Sequence, residues 1–161
     1  MTVTGAMHNG RVTDVPGSDD RPVTLRTATA DDIDAVLALW LAAGAHPTST
    51  DDERSVAALL ARDPDALVLA EMNGRLVGTL IATWDGWRGS MCRLAVLPEC
   101  RRHGIAARLV GQGEQRLQAL GCHRVQALVV DSDARALAFW TGVDYVPDRL
   151  RRHVNTLGDR A

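Results

Sequence analysis

The segment LAVLPECRRHGIAARLV, residues 94–110, constrains the fold more tightly than any other part of the chain. Its first half is an apolar run stopped by Pro98, whose missing N–H forbids further ladder pairing, so it reads as a strand and its end. Its second half sets Ile105, Leu109, Gly113 and Leu117 four residues apart, along one face of a helix. Between them stand Arg101, Arg102 and His103, then Gly104. A helix N-terminus presents unpaired N–H groups and roughly half a positive charge. Arginines beside it add forked donors suited to phosphate oxygens. The segment predicts a strand, a phosphate seat and a long helix, in that order.

The rest of the chain supplies the surroundings. Residues 1–22 mix Gly, Asp, Thr and Pro without periodicity and read as a disordered leader, followed by one domain over residues 23–161. PVTLRTA is strand-like, and Thr29, Asp31 or Asp32 can cap a helix with Ile33, Val36, Leu37 and Trp40 on its buried face. Thr50 with Glu53 fits a capping box for a second helix, which Asp63-Pro64 stops. ALVLAEM and RLVGTLIATW are strands joined at Asn73-Gly74, a strong hairpin signal, and WDGWRG turns into the strand before the phosphate seat. After the long helix come RVQALVV as a strand, DARALAFWTGV as a short helix and DYVPDRLRRHV as a terminal extended segment. The order β-α-α-β-β-β-α-β-α-β implies an α/β (α+β) fold: a mixed, mostly antiparallel sheet with one parallel strand pair, flanked by helices.

Composition removes several classes of function. The 161 residues carry a formal charge of −2, which gives no footprint for nucleic acid or an anionic membrane. All 18 basic residues are arginine, so neither a Schiff-base lysine nor the lysine of a Walker-type loop exists. Cys92, Cys100 and Cys122 are odd in number and form no C-x-x-C, which suits thiols in a reducing compartment. No apolar run approaches the ~20 residues that span a bilayer. The expectation is a soluble, cytoplasmic protein without a metal. A dinucleotide fold would need G-x-G-x-x-G after the first strand, whereas this motif follows the fourth and has one glycine.

Element order and motif together resemble the GCN5-related N-acetyltransferases, which use acetyl-coenzyme A. Their signature Q/R-x-x-G-x-G/A is matched by Arg101-Arg102-His103-Gly104-Ile105-Ala106, between a strand ending in LAVLPE and a closing A-x-x-F-W helix. The resemblance covers roughly residues 23–153, and the DGWRG hairpin looks most similar to a bacterial branch with DG-x-RG before the fourth strand. It implies that backbone N–H groups of residues 102–106 hold the pyrophosphate, that Gly104 permits its close approach, and that Arg101 or Arg102 adds charge. It further implies that Leu94, Ala95 and Val96 meet the pantetheine arm through their backbone. His103 is expected to matter through its backbone, with its side chain at the surface. The implied partner is a small-molecule or peptide amine. Relatives are frequently homodimers.

The final helix departs from the family. Relatives often show N-x-x-A-x-x-F-Y, with Asn on the cofactor and Tyr protonating the leaving thiolate; here Asp133, Ala136, Phe139 and Trp140 align. Asp133 keeps an acceptor and loses the amide donor, and an indole N–H does not release its proton in water's pH range. Tyr145 is a candidate substitute acid. Asp85 and Glu71 are candidates for contacting or deprotonating the amine, Trp84, Trp87 and Trp140 for walling a pocket, and His46 for bordering it. The first expectation is an N-acetyltransferase working by direct attack in a ternary complex. The alternative is a non-catalytic acyl-CoA-binding or regulatory module on the same fold, favoured by Trp140.

Overall fold

A computed structural model describes residues 22–148. Five strands run in chain order across one sheet: β1 (Val23–Thr27), β2 (Leu67–Met72), β3 (Arg75–Trp84), β4 (Gly89–Val96) and β5 (Val125–Ala127). Neighbours pair antiparallel except β4 and β5, which are parallel, as the element order implies. The helices are α1 (Ile33–Ala42), α2 (Glu53–Arg62), α3 (Ile105–Ala119) and α4 (Ala134–Gly142). The leader expected over residues 1–22 lies, apart from Pro22, outside the described residues. The terminal extended segment forms no strand over residues 144–148, and its remainder also lies outside them.

Local chemistry explains the boundaries. Thr29 and Asp32 form a capping box around a 3-10 turn that leads into α1, with Thr29 N donating to Asp32 at 2.8 Å. The expected Thr50 cap is corrected: α2 is capped by Asp52, whose carboxylate accepts from Ser55 N at 2.7 Å. Asn73 and Gly74 both have positive φ, +54° and +73°, the pairing a two-residue type I′ hairpin needs.

The two faces of β3 carry different layers. Side chains alternate along a strand, so Gly78, Leu80 and Ala82 face α3 while Thr79 faces α1. A Cβ placed on Gly113 of α3 would lie 2.9 Å from both Leu80 Cδ2 and Met91 Cε, so the helix seats against the sheet only because that position has no side chain. On the opposite face Trp40 of α1 is buried and its indole N–H donates to Thr79 Oγ1 at 2.9 Å. α1 and α3 thus grip the centre of the sheet from both sides and hold β4 in place.

Candidate active site

The site begins where β4 loses its regular pairing. Thr79 pairs with Ala95 and Ile81 with Cys92, so Leu80 stands opposite two residues, Arg93 and Leu94. Arg93 is the bulged residue, with φ +51°. Across the other edge, β5 pairs with β4 only as far as Met91, and Leu128 N donates the last bond, to Met91 O, at 2.9 Å. Beyond that point the strands separate. The gap is a cleft of about 430 Å³, with β4 from Cys92 to Val96 on one side and Leu128, Val129 and Val130 on the other.

One end of the cleft is formed by the loop that the sequence reads as a phosphate seat. A 3-10 turn over Pro98–Cys100 leads to Arg102 and Gly104, both left-handed at φ +67° and +73°. Gly104 is the N-cap of α3 and no side chain caps that helix, which leaves its first N–H groups to face the opening. A Cβ on Gly104 would have nothing within 4 Å, so the glycine is demanded by its backbone angle, whereas the sequence pointed to close approach alone.

Leu94, Ala95, Val96, Arg101, Arg102, Gly104, Ile105, Ala106, Asp133 and Trp140 all line this one cleft. His103 does not line it: its ring nitrogen Nδ1 donates to Cys100 O at 3.2 Å. Arg101 is half-buried and its guanidinium is already engaged, Nε with Val96 O at 3.0 Å and Nη2 with Ala43 O at 2.8 Å. Burial, and then the nearby Arg135, lower its pKa. Arg101 therefore ties the seat to the end of α1. Arg102 is exposed at the opening, as is Arg135 of α4.

Five candidates, Asp85, Glu71, Tyr145, Trp84 and Trp87, stand apart from the cleft. Asp85, expected to bind the acceptor, closes its own hairpin turn, accepting from Trp87 N at 2.8 Å and Arg88 N at 2.7 Å. Those bonds, Arg88 first, depress its pKa and weaken it as a base. The correction has a simple cause: an Asp that begins a tight turn bonds its own backbone. Trp87 is exposed beside it under the Arg88 guanidinium, 4.2 Å from the ring centroid. Glu71 pairs with Arg26 at 2.7 Å on the far side of the sheet. Tyr145 points its hydroxyl to Glu114 on α3 at 3.0 Å, and burial, then that carboxylate, push its pKa up. Of the three tryptophans expected to wall a pocket, only Trp140 does so. It is buried, with its ring edge-to-face against Phe139 and Tyr145.

The structure also brings in residues that sequence reasoning missed. Ala43, Gly44 and Ala45, at the end of α1, form a wall that Gly44 signals by breaking the helix, together with His46, the residue the sequence offered as bordering the pocket. Arg93 holds that wall: its guanidinium donates to His46 O and Thr48 Oγ1, each at 3.0 Å, pairs with Asp51, and lies 5.2 Å from the Trp40 ring centroid. Arg135 and Phe139 complete the α4 side. Among the described residues, no group of three His, Cys, Asp or Glu could hold a metal ion, and no helix is long and apolar enough to cross a membrane.

Residues 33–143 match the model of the acetyltransferase (GNAT) family, and the chain belongs to that family. An acetyltransferase of Photorhabdus laumondii is 37% identical over 111 residues, covering 68% of this chain and 78% of its own length. One from Pectobacterium atrosepticum is 32% identical over 121 residues, covering 75% and 86%. A crystal structure with acetyl-CoA, of a protein from Clostridium acetobutylicum described as a predicted acetyltransferase, superposes with a TM-score of 0.63 at 14% identity. It covers 83% of this chain and 96% of its own.

Proposed function

We propose that the protein transfers an acetyl group from acetyl-CoA to a primary amine, on a small molecule or a peptide, by direct attack within a ternary complex. The observation that carries this reading is the cleft itself: an opened β4 edge running into uncapped N–H groups at Gly104. The pyrophosphate fits those N–H groups and Arg102, and the pantetheine arm fits the exposed edge of Leu94, Ala95 and Val96 as an added strand. The amine nitrogen forms a bond to the thioester carbon, the C–S bond breaks, the nitrogen sheds one proton, and the thiolate takes one up. A backbone N–H of β4 stabilises the oxyanion.

Trp140 favours a second reading, a non-catalytic acyl-CoA-binding module, because it removes the hydroxyl that relatives use. The loss is not prohibitive. A thiol with a pKa near 8.5 already yields a tolerable leaving group near neutral pH, and general acids contribute about 10²–10⁴-fold. Thiol release from acetyl-CoA over a panel of amines separates the two readings. Amine-dependent release supports the enzyme, and CoA binding without it supports the module.

A further inference from the structure

The β4 bulge is held by a polar relay that starts outside the cleft, at Trp40 and Thr79, and ends at Arg93, which lines it. Thr79 is fully buried and the one polar side chain so placed among the described residues. Its hydroxyl accepts from Trp40 Nε1 at 2.9 Å and donates to Arg93 O at 2.9 Å. The polarity is fixed by chemistry. An indole N–H can only donate and a carbonyl can only accept, so the hydroxyl has one orientation that satisfies both. The carbonyl it holds belongs to the bulged residue, which is left-handed without being glycine. That conformation is uncommon and persists where its surroundings impose it. β4 leaves β5 two residues before this one, since Met91 is the last to pair with β5.

The geometry points to Thr79 as a positioning residue for acetyl transfer: it fixes the Arg93 carbonyl, and through it the β4 edge that the acyl carrier must meet. The assignment rests on the acetyl-transfer reading above. It deepens that reading by naming the buried group that sets the reactive edge. Arg93 extends the effect, because its guanidinium grips the α1–α2 connection at His46, Thr48 and Asp51 while its carbonyl is held by Thr79. One residue thus links the β4 edge to the wall at the end of α1.

The test separates position from packing. Thr79→Val keeps the volume and removes the hydroxyl; Thr79→Ser keeps the hydroxyl and removes a methyl group. The measurements are Kd for coenzyme A by calorimetry, thiol release from saturating acetyl-CoA with the amine most active in the wild-type panel, melting temperature, and the amide resonances of Leu94 and Ala95. The expected result is a kcat at least tenfold lower in Thr79→Val, with both resonances displaced, and a Thr79→Ser kcat within threefold of wild type despite its lower melting temperature. Rates that follow melting temperature in both variants, or a Thr79→Val enzyme with wild-type kcat and resonances, overturn the assignment alone. A wild-type protein that binds no coenzyme A overturns the acetyl-transfer reading and the assignment with it.

Discussion

At Gly104 two requirements meet, and they are separable. The residue caps α3 with φ +73° and has open space where a side chain would stand. An L-residue in that conformation costs roughly 1–2 kcal/mol, less for Asn. Gly104→Val should therefore lower stability by about that amount and also weaken cofactor binding by obstructing the seat; Gly104→Asn should be milder in the first respect. Denaturant midpoints and calorimetry with coenzyme A measure both, and a Val variant equal to wild type in both would remove the loop from the site. Trp140 offers a gain in place of a loss. Trp140→Tyr puts a hydroxyl into the cleft beside β4, and thiol release should rise within the 10²–10⁴-fold range of general acids, most strongly at low pH. An unchanged rate and profile from pH 6 to 9 would mean that the indole does not occupy the acid's place.

The elements that carry the site were legible in the sequence to different degrees. The β4–turn–α3 unit was plain, because Pro98, the arginines, Gly104 and the four-residue apolar spacing all agree there. The bulge was hidden: Arg93 carries no glycine or proline signal, and its conformation depends on Thr79 and Trp40, distant in sequence. The lone threonine in the apolar GTLIA run was the available hint. RVQALVV looked like a seven-residue strand, yet β5 has three residues because Leu128, Val129 and Val130 face the cleft and have no partner strand. Asp85 misled because a carboxylate near a tryptophan-rich hairpin suits an acceptor site as well as a turn. At this scale the α1–α2 connection also becomes testable. Asp51→Ala removes the charge that holds the Arg93 guanidinium, so KM for the amine should rise severalfold while KM for acetyl-CoA stays near wild type. Equal changes in both would argue that Asp51 supports the sheet and not the wall.

For the whole molecule, ligand and proton act on stability in opposite directions. A ligand that binds only the folded state, at 100 times its Kd, adds about 2.7 kcal/mol. Millimolar coenzyme A should therefore raise the melting temperature by several degrees, and no shift would count against both functional readings. Acid should do the reverse. The bond from Arg26 holds the Asp32 carboxyl well below the usual carboxylate range, with Thr29 N–H assisting against a smaller cost of burial. A depressed pKa contributes stability that is complete above the unfolded value near 4 and is lost as pH falls through the folded one. Asp32→Asn should thus melt lower than wild type at pH 7 and show a flatter decline towards pH 3. Parallel curves would mean that the Arg26 pair adds nothing.

The three-residue length of the β4–β5 pairing has a kinetic side. β2 to β4 form a meander of near neighbours joined by two tight hairpins, contacts that close small loops and form early. β5 and α4 join that meander only after the chain has crossed over α3, and the ladder they gain is short. They form the part of the molecule most ready to open on its own while the rest stays folded. Deuterium should accordingly enter the amides of β5 and α4 well before those of β3, and coenzyme A, bridging both sides of the gap, should slow that entry selectively. The cleft would then be breathing at rest and quieted by its cargo.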